Sequence, residues 1–298
     1  MLAEAERQTQ ESVRMLYEHV YREQLAAGYT AVGEFHYLGY DEALAAAEAA
    51  HAARVDFVLL YAAYGRGGIA RFRQDSPVAY LRDIERLLAT GLRVGLAPHS
   101  VRACPREWLV EIGRYAASAP LPLHIHACEQ PREIEECLAE HRMRPIELLA
   151  DSGCLGPTTT VVHATHADDR ELDLLAEAGA RVCLCLTTEA DLGDGFAPVR
   201  RLLARGIALC IGSDSNVRID PLEELRELSG IARRDGMTRE AVAPDDLLAI
   251  GSAGGARALG LDSWPSIDID LDHASLRGVA ESDVEAALVT SCASDVVL

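Results

Sequence analysis

The sequence contains no lysine, so arginine supplies all 28 basic residues, and 47 acidic residues outnumber them. The formal net charge at pH 7 is −19. Such an acidic balance argues against nucleic acid or an anionic membrane surface as the partner, because both repel a negative protein. It does not exclude a small acidic substrate that binds in a locally basic pocket.

Long apolar runs are also missing. No stretch approaches the roughly 20 residues that a membrane helix needs. The start of the chain, MLAEAERQTQESVR (1–14), is polar and charged, unlike a signal or transit peptide. These absences predict a cytoplasmic protein without membrane partners.

Paired CxxC spacing is absent although the chain has eight cysteines. Most of them lie in apolar runs or on predicted helices, which indicates reduced, buried thiols in a reducing compartment. Cys183 and Cys185 are expected to point to opposite faces of a strand and so to make a poor zinc pair.

No glycine-rich GxGxxG motif follows any of the β-rich runs, which alternate with amphipathic helical stretches. This alternation predicts an α/β protein with a parallel sheet covered on both faces. The predicted strands are 29–36, 56–61, 93–99, 121–127, 159–165, 181–187 and 208–214. The predicted helices include 41–53, 77–90, 106–118, 131–141, 168–178 and 197–205.

Seven strand–helix units with polar residues at the strand ends favour a TIM-like (β/α)₈ barrel over a doubly wound sheet. One strand is then missing, and we expect it before the long helix predicted at about residues 3–26. The barrel is predicted to span 1–260. Residues 261–298 are predicted to be β-segments of a small appended sheet, so the chain looks truncated at both ends.

Four metal-ligand residue types fall at the C-terminal ends of different predicted strands, namely His99, His126, His163 and Asp214. Barrel enzymes build their sites on that face. Imidazoles and a carboxylate suit Zn²⁺, which lowers the pKa of a bound water to about 7. Glu129, three residues after His126, is placed to transfer protons.

Structural roles remain possible for each of these residues taken singly, because polar groups at strand ends are often merely hydrogen-bonded. His124 is expected to point away from His126. His36 and His166 are as consistent with a structural role as with a direct one. Asp214 and, more strongly, Asp220 could be helix N-caps.

Several motifs taken together resemble the amidohydrolase superfamily, and within it the N-formimidoyl-glutamate deiminases of histidine degradation. They are GYTAVGEFHY (28–37), PHSVRA (98–103), HIHACEQ (124–130), VHATHAD (162–168), CLTTEADLGDGFAP (185–198) and IGSDSNVRIDPLEELR (211–226). The resemblance implies a zinc-dependent metal hydrolase that converts N-formimidoyl-L-glutamate to N-formyl-L-glutamate and ammonia, with one zinc per chain.

The resemblance also implies roles for individual residues. His126 and Asp214 would be metal ligands, and Asp214 would also take a proton from the attacking water. Glu129 would pass protons to the departing ammonia, while His163 would help to polarise the formimino carbon. His99 would hydrogen-bond the formimino group. Arg102 and Tyr37 would hold the substrate carboxylates.

The chain departs from the family pattern in lacking the HxH pair of the first barrel strand. With two protein ligands, we expect weak zinc binding and poor turnover by the chain as written. Two other functions stay open: a catalytically impaired remnant, and a deaminase of the same superfamily that acts on a ring such as guanine or cytosine. A homodimer is possible.

Overall fold

The computed structural model describes residues 5–298, which form one parallel sheet of seven strands curled into part of a barrel. Strand order follows chain order, so each strand pairs in parallel with the next. All seven predicted strands are confirmed. They are β1 (Ala31–His36), β2 (Asp56–Ala63), β3 (Val94–Pro98), β4 (Leu123–Ala127), β5 (Thr159–His163), β6 (Arg181–Leu184) and β7 (Leu209–Ile211).

Helices connect successive strands, and the predicted helices are confirmed to within a few residues. Residues 3 and 4 of the first predicted helix lie outside the described residues, and that helix begins at Gln10, where Thr9 caps it. Within residues 5–298, no helix is both long and apolar enough to cross a membrane. The helices are α1 (Gln10–Ala26), α2 (Tyr40–Ala53), α3 (Pro77–Ala89), α4 (Arg106–Ser118), α5 (Pro131–His141), α6 (Pro145–Asp151), α7 (Asp169–Ala178), α8 (Leu186–Leu192), α9 (Val199–Ala204), α10 (Pro221–Gly236), α11 (Pro244–Ala249), α12 (Gly255–Ala258) and α13 (Val284–Ser291).

The main hydrophobic core lies between the outer face of the sheet and these helices. Leu59 and Tyr61 of β2 belong to it together with Tyr80 and Ile84 of α3, all of them buried. The Tyr80 hydroxyl donates to the carbonyl of Tyr61 at 2.9 Å and accepts from the amide of Ala97 at 3.0 Å. This hydroxyl therefore ties α3 to β2 and β3.

The inner face of the sheet is covered by a segment from late in the chain. Leu60 packs there with Leu259 and Leu261, which follow α12. Glycine is needed for this approach: a Cβ on Gly33 would lie 2.4 Å from the Leu259 side chain, and one on Gly254 would lie 2.3 Å from a carbonyl oxygen of β7. The segment therefore fills the inside of the sheet at close range.

The sheet is open between its first and last strands. Among the described residues, β1 pairs only with β2, and β7 only with β6. The predicted unpaired edge between 29–36 and 208–214 is confirmed. A contact of 3.4 Å between the amide groups of Gln24 and Asn216 links α1 to the loop after β7.

The predicted appended β-segments are largely wrong. Residues 284–291 form helix α13, and an isolated antiparallel bridge between Ile269 and Val297 is the β-pairing found in this part of the chain. Leu288 of α13 packs with Leu222 of α10, so tertiary packing overrides the strand preference of this apolar run. The domain boundary at residue 260 stays a prediction.

Two predicted side-chain directions are also wrong. Residues two apart in a strand share a face, because successive side chains alternate. His124 and His126 both point to the inner face of the sheet, where the ring of His124 donates to the carbonyl of Ala258 at 2.9 Å. Cys183 and Cys185 likewise share a face, since both sulfur atoms lie next to Gly212.

A half-buried carboxyl group on β1 gives a pH-dependent contribution to stability. Glu34 accepts a hydrogen bond of 3.1 Å from the Tyr21 hydroxyl, and burial raises its pKa to about 7. Its unfolded pKa is lower, so its contribution is present below about pH 4.5 and is lost as the pH rises toward 7.

We therefore expect Glu34→Gln to match the wild type near pH 4.5 and, at pH 8, to have a free energy of unfolding up to about 3 kcal/mol higher than that of the wild type. Urea denaturation at the two pH values measures this difference. Glu48→Gln, at an exposed position on α2, is the control. A Glu34→Gln effect that is equal at both pH values would contradict the assignment.

Candidate active site

The predicted site residues gather at the C-terminal edge of the sheet. His126 lies in β4 and His163 ends β5, while His99 and Asp214 follow β3 and β7. Parallel strands bring these ends to the same edge. The ring centroids of His99 and His126 are 4.9 Å apart, and those of His126 and His163 are 5.5 Å apart. The three imidazoles thus form a connected group.

His126 is held by a backbone hydrogen bond. Its Nδ1 lies 2.9 Å from the carbonyl oxygen of His99, which only accepts, so Nδ1 carries the proton and Nε2 keeps its lone pair. Burial, assisted by the neighbouring His163, lowers the pKa of His126 to about 4. The ring is therefore neutral near pH 7, which is the form that binds metals.

His163 is almost fully buried and lies among carboxylates. Its Nδ1 is 3.2 Å from Glu189, and its Nε2 is 3.9 Å from Glu129 and 3.8 Å from Asp214. Burial alone would lower the pKa of His163, but the hydrogen bond and charge of Glu189, with the two other carboxylates, raise it to about 9. Nε2 has no hydrogen-bond partner within residues 5–298.

Glu129 is positioned from two sides. Its carboxylate accepts a hydrogen bond of 2.9 Å from Arg102, and its backbone amide donates to Glu133 at 3.0 Å. Glu133 is 1% exposed, and burial raises its pKa to about 7. The turn that carries Glu129 is therefore fixed by side chains from α5 and from the loop after β3.

Several backbone positions at this edge adopt the left-handed conformation, among them Cys128 with φ of 56°, His163 with 73° and Asp214 with 44°. Such conformations cost residues with a Cβ of the order of 1 kcal/mol and cluster at functional sites. Burial raises the pKa of Asp214, and the negative charge of Glu129 adds to the effect.

Of the remaining residues that the sequence singles out, Tyr37 lies in the cluster, whereas His36 and Asp220 lie outside it. The ring of Tyr37 lies 5.6 Å from that of His99, so Tyr37 belongs to the cluster. His36 is buried near α1, with its ring 6.0 Å from Tyr17. Asp220 caps α10 by accepting from backbone amides, as the N-cap interpretation predicted. The structure thus brings all seven predicted site residues together, while their individual roles stay predictions.

The donors available to a metal ion are few. His126 and Asp214 are donor types that zinc uses. Within residues 5–298, however, no three His, Cys, Asp or Glu side chains are arranged to hold one ion together. Catalytic zinc usually has three protein ligands, so the role of His126 and Asp214 as metal ligands stays a prediction.

The sequence motifs contained one site residue to which no role was given. Glu189 lies in α8, is 1% exposed and contacts His163 directly. Glu189 belongs to the motif CLTTEADLGDGFAP, but its contact with His163 depends on α8 folding back over the end of β5. Spacing along the chain gives no indication of that contact.

The pattern of the Amidohydrolase family matches residues 2–266. Because this match covers most of the chain, and because the fold and the strand-end cluster agree with it, the chain belongs to the amidohydrolase family. It is 37% identical over 281 residues to formimidoylglutamate deiminase from Pseudomonas aeruginosa, covering 84% of this chain and 62% of that protein.

Other relatives extend the comparison. The chain is 30% identical to 5-methylthioadenosine/S-adenosylhomocysteine deaminase from Natronomonas pharaonis, covering 81% of this chain and 56% of that protein. The chain therefore spans about three fifths of the length of these two relatives.

Among solved structures, an amidohydrolase from Brucella melitensis superposes with a TM-score of 0.84 at 30% identity, covering 98% of this chain and 75% of that one. An adenosine deaminase from Xanthomonas campestris with bound zinc superposes with a TM-score of 0.89 at 22% identity, covering 99% of this chain and 69% of that one. The second likeness supports the barrel-type fold alone.

Proposed function

We propose that this chain is a hydrolase that releases ammonia from N-formimidoyl-L-glutamate and leaves N-formyl-L-glutamate. Water adds to the carbon of the formimino C=N bond to give a tetrahedral intermediate. Its C–NH₂ bond then breaks, ammonia leaves, and the carbon becomes the C=O carbon of the formyl group. The observation that carries the proposal is the convergence of the Glu129 and Asp214 carboxylates within 4 Å of His163 Nε2. The identity to the Pseudomonas aeruginosa deiminase supports this substrate.

The residues divide the proton transfers between two carboxylates. Asp214, whose pKa is raised by burial, would take a proton from the attacking water. Glu129 would pass a proton to the departing ammonia, and His163 lies between the two carboxylates to stabilise the charge that develops on the formimino group. His99, whose ring lies next to that of His126, would hydrogen-bond that group.

Substrate carboxylates would be bound by Arg102 and Tyr37. Arg102 donates from Nη2 to Glu129, and its other nitrogens carry further N–H groups that suit a carboxylate. An acidic protein can therefore bind an acidic substrate at this one place.

Zinc is the metal that this proposal implies, because an imidazole and a carboxylate are donor types that zinc uses. His126 through Nε2 and Asp214 would hold it, and when bound it would activate water for attack. Two donors do not complete the site, so weak binding stays the prediction for this chain.

An ammonia-release assay with a panel of substrates tests the function. The panel contains N-formimidoyl-L-glutamate, guanine, cytosine and 5-methylthioadenosine, each with added zinc. Turnover of the formimino acid supports the proposal, whereas turnover of a ring compound alone favours the ring-deaminase alternative. No turnover of any compound favours the impaired remnant.

We expect Arg102→Gln to raise KM for N-formimidoyl-L-glutamate at least tenfold, because a charged carboxylate contact is lost, and to change kcat less. Steady-state kinetics measure both constants. Arg132→Gln is the control, since Arg132 is 83% exposed and makes only a surface ion pair. An unchanged KM in Arg102→Gln would reject the carboxylate-binding role.

A further inference from the structure

The ring of His163 is held by one buried carboxylate. Glu189 Oε1 accepts from His163 Nδ1 at 3.2 Å and also from the backbone amide of Cys185 at 3.0 Å. A carboxylate only accepts, so Nδ1 of His163 must carry its proton. Both side chains are almost fully buried, at 1% and 2% exposure, so water does not compete for this bond.

The direction of Nε2 follows from that contact. With Nδ1 bonded to Glu189, the opposite side of the ring points at Glu129 and Asp214, each just under 4 Å away. Because Nε2 has no hydrogen-bond partner within residues 5–298, a loss of the Glu189 contact would free the ring to turn.

Glu189 is itself kept in place by the helix that carries it. The first turn of α8 is bound by Glu224 of α10, which is fully buried and accepts from the amide of Leu186 at 2.8 Å and from the amide and hydroxyl of Thr187. This anchor is independent of the site residues. It fixes α8, and therefore Glu189, over the end of β5.

We propose that Glu189 is a positioning residue, which holds His163 with Nδ1 protonated and with Nε2 aimed between Glu129 and Asp214. This inference deepens the proposed function, on which its kinetic consequence depends. The orientation of the ring, however, is a property of the chain itself and can be measured without substrate or metal.

Proton NMR of the full chain with ¹⁵N-labelled histidine rings tests the orientation. The resonance of the His163 Nδ1 proton is assigned by its loss in His163→Gln. We expect it to be protected from exchange in the wild type and in Glu189→Gln, whose amide oxygen still accepts. We expect it to be lost or shifted in Glu189→Leu, which has no acceptor.

The matched control is Asp191→Leu, an exposed carboxylate on the same helix, which should leave the His163 resonance unchanged. A folded Glu189→Leu variant with a wild-type His163 resonance would overturn the proposal. Loss of the resonance in a folded Glu189→Gln variant would overturn it as well, because the acceptor atom is then present without effect.

Kinetics give a second readout. With N-formimidoyl-L-glutamate, we expect Glu189→Leu to lower kcat about 100-fold and to change KM less than about threefold, while Glu189→Gln loses less than about tenfold. A fall in kcat accompanied by an equally large rise in KM would indicate that the whole site is disturbed and would contradict the positioning role. If no substrate is turned over, the proposed function fails, and the NMR result still decides the orientation.

Discussion

Replacing Glu129 by Gln is expected to lower kcat for N-formimidoyl-L-glutamate by about 10²- to 10⁴-fold, the usual contribution of a proton-transferring group. The amide keeps the shape of the side chain and an oxygen for Arg102, but it cannot carry a proton to ammonia. Zinc affinity should change far less, since His126 and Asp214 are the predicted ligands.

Two measurements on the same preparation check this prediction: ammonia release in steady state, and zinc titration followed by calorimetry. Glu136→Gln is the matched control, because that glutamate is exposed on α5 and makes only a surface ion pair with Arg132. Parallel losses of turnover and zinc binding in Glu129→Gln would contradict a proton-transfer role.

Replacing Glu171 by Leu is expected to lower the free energy of unfolding by about 3 kcal/mol or more, the range seen when one partner of a buried ion pair is removed. Glu171 is fully buried. It accepts from Arg144 at 2.7 Å, from the amide of Ile146 at 3.0 Å and from the thiol of Cys128 at 3.2 Å. Leucine satisfies none of these donors.

Urea denaturation of the wild type and of Glu171→Leu measures the difference in the free energy of unfolding. Glu177→Leu, at an exposed position of the same helix, α7, is the control. The control should stay within about 0.5 kcal/mol of the wild type. If Glu171→Leu is as stable as Glu177→Leu, the network around Arg144 contributes nothing, and the turn at Cys128 must be held by other contacts.

The strands and the positions of the site residues could be predicted from the sequence because both depend on local patterns. A short apolar run followed by a histidine or an aspartate indicates a strand end, and parallel strands place such ends together. His99, His126, His163 and Asp214 are therefore close in space, as the pattern indicates.

Contacts set by tertiary packing could not be predicted in this way. The pairing of Glu189 with His163 needs α8 to turn back over β5, and the pairing of Arg102 with Glu129 needs two loops to meet. The helix at 284–291 forms from an apolar run that resembles a strand, because α10 offers it a packing surface. The prediction that His124 points away from His126 was wrong for a simpler reason, because residues two apart in a strand lie on the same face.

The segment that fills the inner face of the sheet has a consequence for synthesis on the ribosome. Gly33 of β1 packs against Leu259, which the ribosome adds more than 200 residues later. The packing of β1 therefore cannot be completed until that residue has been synthesised. At roughly 5–20 residues per second, this wait lasts on the order of ten seconds or longer. During that time the apolar inner side of β1 and β2 lacks the cover that Leu259 and Leu261 give it in the folded chain.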